Sequence, residues 1–162
     1  MQNLERIKQQ WAKELPDLDT STMALIGRLQ VLHKRMTSAM SETFRRFGLT
    51  DAGFDVIATL RRSGEPYRLT PNQLLEQMLI TSGSMTSRLT HLQKKGLVER
   101  EQDDKDGRVH WVKLTDAGLT LSDNVIYEHV NTQKQLLSVL SAQQRQQLTE
   151  QLREVLVRYG LE

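Results

Sequence analysis

Residues 82–95 combine hydroxyl side chains and cations without a single carboxylate, in a spacing typical of an α-helix. Met85, Leu89 and Leu92 recur at i, i+4 and i+7 and define an apolar face. At about 100° per residue, the opposite face carries Gly83, Ser87, Thr90, His91 and Lys94. Arg88 lies about 60° from the centre of the apolar face, so we expect it to face inward. Such a surface suits phosphate oxygens and base edges. Taken alone, it is equally typical of an ordinary solvated helix face.

The residues before this helix predict a partner helix and a tight turn. Thr70 and Gln73, with Pro71 between them, form a capping box with proline at the first helical position. The helix that they open would bury Leu74, Leu75, Met78 and Leu79. It would stop at Thr81-Ser82-Gly83, so the two helices together predict a helix-turn-helix.

The residues after Gly96 predict a β-hairpin. A strand over 97–101 is followed by an acidic tip at 103–107, and a second strand runs over 108–114. The second strand would place Val109 and Trp111 on one side, and His110, Val112 and Leu114 on the other. A hairpin directly after a helix-turn-helix predicts a wing, and this order is more specific than either part alone.

Further helices flank the winged segment, over 2–15, 21–47, 116–140 and 142–159. A winged module does not need their apolar faces for its own core, so we expect a second copy of the chain to cover them. The predicted fold class is mainly α with a small β-hairpin wing. We predict a single domain over 1–162, in which 49–115 form the DNA-binding lobe, while 1–48 and 116–162 form dimerisation helices of a homodimer.

Composition excludes several other classes of protein. The 162 residues carry a net charge of +2 and no cysteine, which rules out disulfides, thiolate catalysis and cysteine-ligated zinc. No Gly-rich phosphate loop, nucleophile elbow or HExxH motif occurs, so no enzyme, cofactor or metal site is predicted. The acidic tip fails as a calcium loop because Gln102 and Lys113 would stand at its ligand positions. Without an apolar span or a signal peptide, we expect a cytoplasmic, nucleoid-associated protein.

These segments, taken in order, resemble the MarR family of winged-helix regulators. The resemblance rests on Leu69-Thr70-Pro71, on 83–89, on 95–100, on the wing 103–108 and on 114–118. It implies a dimeric transcriptional regulator, a repressor, that binds double-stranded palindromic operator DNA. Helix 82–95 would enter the major groove, and Arg108 of the wing would enter the flanking minor groove. The residues predicted to contact DNA are Ser82, Ser84, Thr86, Ser87, Arg88, Thr90, His91, Lys94, Lys105 and Arg108.

A finer resemblance concerns the urate-responsive, PecS-like branch of that family, which carries a tryptophan on an additional N-terminal helix. It implies a ligand site at Trp11, Asp55, Arg62, Arg88 and Arg100. The effector would be urate, a small anionic aromatic ligand, whose charge would repel Asp55 and shift its partner Arg88 in the recognition helix. Three alternatives stay open. The effector is a phenolic compound or another aromatic carboxylate; Asp55–Arg88 is only a stabilising pair and Trp11 only a packing anchor; or the chain is a protein-interaction module that does not bind DNA.

Overall fold

A computed structural model describes residues 2–78, 85–103 and 107–162. The described residues form helices and one small antiparallel sheet, as predicted. The elements are α1 (Gln2–Glu14), α2 (Ser21–Arg46), α3 (Asp51–Arg62), β1 (Arg68–Leu69), α4 (Pro71–Gln77), α5 (Met85–Lys94), β2 (Val98–Gln102), β3 (His110–Leu114), α6 (Asp116–Leu136) and α7 (Ala142–Arg158). No helix in the described ranges is long and apolar enough to cross a membrane.

The chain divides into two compact units, residues 1–39 and 40–162. In the first unit, α1 packs against the beginning of α2. Glu5 and Arg28 form an ion pair of 2.7 Å between the two helices. A Cβ atom on Gly27 would lie 2.8 Å from Leu4 Cδ2, so the absence of a side chain there permits the close approach.

The second unit has its core around α3, whose N-cap is Thr50. Val56, Ile57 and Leu60 on this helix are fully buried, as are Leu74 of α4 and Leu92 of α5. The three helices therefore share one apolar interior, and the core fixes α5 from its inner side.

The predicted capping box at the start of α4 is confirmed. Thr70 Oγ1 accepts a hydrogen bond from Gln73 N, and Thr70 N donates to Gln73 Oε1. The predicted turn between the two helices, and Ser82 and Ser84 within it, lie outside the described residues. The second helix, α5, is described from Met85 to Lys94, and Gly96 after it has a φ of +67°, which is readily adopted only by glycine.

The predicted wing is an antiparallel pair, β2 with β3, and β1 adds a third strand on the other edge of β3. Glu101 lies opposite Trp111 and Arg100 opposite Val112. Val112 and Leu114 are buried while Trp111 between His110 and Val112 is only partly buried, which agrees with the predicted alternation. The junction with α6 is tight. A Cβ on Gly118 would lie 2.0 Å from Leu97 O, and Thr115 Oγ1 donates to Gly96 O.

The predicted end of the helix near Leu140 is wrong, since α6 ends at Leu136. The helix can end there because side chains donate hydrogen bonds to the carbonyl groups at and after its end. Ser138 Oγ donates to Gln135 O, and the Arg145 guanidinium donates to Leu140 O at 2.7 Å. Ser141 then opens α7 with a second capping box, as the sequence predicted.

Candidate nucleic-acid interface

The recognition helix α5 has the predicted orientation. Met85, Leu89 and Leu92 face the core, with exposed fractions of 9%, 3% and 0%. The predicted DNA-contacting residues on the other side are exposed, namely Thr86, Ser87, Thr90, His91 and Lys94. The helix therefore presents small hydroxyl groups and a cation to solvent, while its apolar stripe anchors it.

All formal charges on the described part of α5 are positive. Residues Met85–Lys94 contain no acidic side chain. Lys95 Nζ donates to Gly48 O, so this lysine closes the loop after α2. Lys94 remains exposed on the outer face, where a phosphate oxygen could accept from it.

Arg88 is the one cation of α5 that turns partly inward, as predicted, and it interacts electrostatically with Asp55 of α3. Burial raises the pKa of Asp55 above its ordinary value, while the Arg88 guanidinium acts in the opposite direction and Asp51 reinforces the increase. The direct pairing of Asp55 with Arg88 that the resemblance implies is not formed. Among the described residues Arg88 forms no ion pair with Asp55, and the buried Asp55 Oδ2 has no hydrogen-bond partner. The two residues attract each other at longer range, so Asp55 keeps an unsatisfied oxygen.

Arg62, a predicted ligand residue, is exposed and binds the end of α4. Its Nη2 donates to Gln77 O and lies 3.4 Å from Thr59 Oγ1. The guanidinium thus satisfies a carbonyl at the C-terminus of the first helix of the helix-turn-helix.

Arg100 lies at the mouth of a cavity of about 320 Å³ between α5 and the wing. The cavity lies within the second unit, and most of its exposed lining is apolar. Its lining residues are Pro71, Met85, Thr86, Leu89, Arg100, His110, Trp111 and Val112. One cation beside apolar walls is a suitable environment for a small aromatic anion.

Two further predicted site residues are exposed. Trp11 of α1 has an exposed fraction of 38% and belongs to the first unit. Arg108 is exposed on the wing, and Lys105 lies outside the described residues. The second unit therefore brings Arg88 near Asp55 and places Arg100 beside α5.

The sequence reasoning missed His110, Trp111 and Pro71 as cavity residues. The alternation along β3 did place His110 and Val112 on one side. Only the pairing of β3 with β2 aligns that side with Arg100, through the Arg100–Val112 register.

The helix-turn-helix, the carboxylate-free outer face of α5 and the adjoining wing define a winged-helix DNA-binding protein. Three comparisons agree with this class. The sequence pattern of the MarR family matches residues 47–109. The regulator PecS of Dickeya dadantii is 36% identical over 142 residues, 88% of this chain and 86% of PecS. The regulator MhqR of Bacillus subtilis is 27% identical over 76% of this chain and 83% of its own.

A solved structure supports the same assignment. A mutant of Escherichia coli MarR, in complex with operator DNA, superposes with a TM-score of 0.69 at 25% identity, over 86% of this chain and 99% of that one. The chain belongs to the MarR family of winged helix-turn-helix transcriptional regulators. It is a DNA-binding protein and not an enzyme.

Proposed function

We propose that the protein is a homodimeric repressor that binds a palindromic operator and is released by a small aromatic anion. The observation that carries the DNA-binding part is the exposed, acid-free face of α5 next to the wing. Hydroxyl groups there would meet base edges, Lys94 would meet a phosphate, and Arg108 would enter the minor groove.

The dimer is supported by apolar surface that a single chain leaves exposed. Leu152, Val155 and Leu156 of α7 have exposed fractions of 45%, 50% and 40%. A contiguous apolar face of this kind is typical of an interface. A two-fold axis would place two α5 helices on successive major grooves, which is why the operator would be palindromic.

The effector proposal is supported by the Arg100 cavity. An anion in it would approach the Arg100 guanidinium and contact Met85, Thr86 and Leu89 of α5. Binding that moves α5 stabilises the conformation with low DNA affinity, and this difference in affinity is what release requires. Asp55 and Arg88 join α3 to α5 electrostatically, so they would transmit added negative charge to the same helix.

DNA binding is tested by gel shift on DNA upstream of the protein's own gene, at several salt concentrations. Affinity should fall steeply with salt because counterions are released. Lys94→Ala should reduce the slope of log affinity against log salt by about one. Lys8→Ala, an exposed lysine on α1, is the matched control. Salt-independent binding, or no binding to any palindrome, would contradict the repressor and favour a protein-interaction module.

The effector is tested by titrating urate and salicylate into the preformed complex. Arg100→Gln should retain DNA binding and lose release by the anion, while the exposed Arg153→Gln on α7 should retain both. By the resemblance to PecS-like regulators, Trp11→Ala should also lose the urate response. Release by salicylate but not by urate would favour the phenolic and aromatic-carboxylate class over urate. Release that survives in Arg100→Gln would remove the cavity from the mechanism.

A further inference from the structure

Arg68, Glu101, Asp103 and Lys113 form a connected set of side chains around Trp111 on the wing's sheet. Trp111 lies opposite Glu101 in the register of β2 and β3, so Asp103 is its diagonal neighbour toward the tip. Trp111 is partly buried, and its indole Nε1 donates to Asp103 Oδ2 at 2.9 Å. The indole thus joins the body of β3 to Asp103, the first residue of the 103–107 tip.

The base of the tip is closed by two more hydrogen bonds. Asp103 N donates to Val109 O at 3.0 Å, and Gln102 Nε2 donates to Gly107 O at 2.6 Å. Arg108, the predicted minor-groove residue, lies between Gly107 and Val109, the two residues whose carbonyl groups accept these bonds. Its direction therefore depends on how this base is held against the sheet.

Trp111 is itself held from the opposite strand. The Arg68 guanidinium lies over the indole ring, 4.8 Å from its centroid, and also pairs with Glu101 at 3.4 Å. Lys113 Nζ donates to Glu101 Oε1 at 2.9 Å, and this contact is the main reason that the pKa of Glu101 is lowered. Arg68 of β1, which is itself paired with Glu101 of β2, thus holds the ring in place.

We propose that Trp111 is a positioning residue for DNA binding, which holds the wing through Asp103 at the angle that Arg108 needs. This inference rests on the proposed operator binding. Trp111 does not contact DNA in this arrangement. Its N–H holds Asp103 against β3, and Asp103 N in turn donates to Val109 O next to Arg108, so Arg108 is presented to the minor groove with less loss of freedom on binding.

The test is a double-mutant cycle on operator affinity with Trp111→Phe and Arg108→Ala. Phenylalanine keeps an aromatic ring for Arg68 and removes the indole N–H together with the five-membered ring that carries it. Trp111→Phe should weaken binding about 2- to 12-fold, the range that a net hydrogen-bond contribution gives. The double variant should bind no more weakly than Arg108→Ala alone, because the N–H acts only through that arginine. Tyr127→Phe, which removes a polar group from an aromatic residue with an exposed fraction of 80%, is the control.

Unchanged affinity in Trp111→Phe would overturn the inference. So would losses that add up in the double variant, because additivity means that Trp111 supports stability without acting through Arg108. If Trp111→Phe does not fold, Asp103→Ala removes the acceptor instead and should show the same non-additivity. Failure of the unmodified protein to bind operator would instead contradict the proposed function.

Discussion

Helices α3 and α7 are both amphipathic, but within a single chain α3 is buried and α7 is exposed. Six of the 12 residues of α3 are buried, whereas none of the 17 residues of α7 is. The α3 face meets α4, α5 and the sheet, which together complete a core around it. The apolar face of α7 lies open to solvent. The winged region therefore buries its own apolar surface. The composition of α7 is that of a helix whose apolar face needs a partner to cover it.

Apolar side chains of α2 in the first unit are also exposed. Leu25 and Val31 of α2 have exposed fractions of 57% and 60%, although the Asp19 carboxylate accepts a hydrogen bond from Ser21 N at the start of the helix. Capping and helix propensity make α2 and α7 helical, but they do not bury their apolar faces. The contrast with α3 shows that two requirements are separate. Capping and propensity let a helix form, whereas its apolar face must also be buried.

The largest expected effect comes from charging the open face of α7. Leu152→Glu with Val155→Glu should convert the proposed dimer into a monomer, because two carboxylates would be buried without partners. Binding to a palindromic operator should then fall on the order of 100-fold, since the two half-sites are no longer linked. Sedimentation gives the mass and gel shift gives the affinity. Gln147→Glu on α7 is the matched control, and a doubly charged variant that stays dimeric would exclude α7 from the interface.

A smaller effect, on the free energy of unfolding, is expected from a substitution in the well-packed helix α3. Leu60→Ala in α3 removes a fully buried side chain and should lower the free energy of unfolding by about 2–5 kcal/mol. Leu152→Ala in α7 should instead make Tm depend more strongly on protein concentration, because it weakens association. Thermal unfolding at two concentrations distinguishes the two. A loss in Leu152→Ala that is independent of concentration would mean that α7 packs within its own chain.

The elements of the winged region were predictable from sequence because their signals are local. Thr70, Pro71 and Gln73 specify the start of α4 without reference to any other part of the chain, and Gly96 specifies the end of α5. The inward turn of Arg88 followed from helix geometry alone. The end of α6 was not predictable in this way, because it depends on Arg145 reaching back from the next helix to Leu140 O.

The contacts of the candidate site depend on distances that a sequence does not contain. A carboxylate and a guanidinium at Asp55 and Arg88 suggest an ion pair, but the packing of α3 on α5 leaves Asp55 Oδ2 without a partner among the described residues. The resemblance places Arg62 in a ligand site, but in the structure its guanidinium donates to Gln77 O. The proposed hold of Trp111 on Asp103 needs the exact register of β2 and β3.

The well-packed region also contains a charge that costs stability. Since burial raises the pKa of Asp55, its ionised form at neutral pH is less stable in the fold than in the unfolded chain. Asp55→Asn should therefore raise Tm at pH 7 by less than about 4 °C, the change that 1 kcal/mol makes in a chain of this size. The gain should disappear as pH falls below the ordinary value of 3.8, where the carboxyl is protonated in both states. Asp17→Asn in the exposed segment after α1 is the control, and a lower Tm in Asp55→Asn would mean that attraction to Arg88 outweighs burial.

The smallest expected effect concerns His129 of α6, which packs against Phe44 and Phe54 with ring centroids 5.3 and 4.8 Å away. Burial lowers its pKa below the ordinary 6.5, and its Nδ1 has no hydrogen-bond partner in the described parts of the chain. The unfolded chain therefore takes up a proton first as pH falls, so stability should decrease from pH 6.5 downward until the folded form is also protonated. The slope should stay below the roughly 1.4 kcal/mol per pH unit that one proton can contribute. His129→Gln should flatten the dependence of Tm on pH between 6.5 and 5 in thermal unfolding, while the exposed His33→Gln should leave it in place. An equal slope in both variants would show that the aromatic cluster around His129 is not what makes the second unit sensitive to acid.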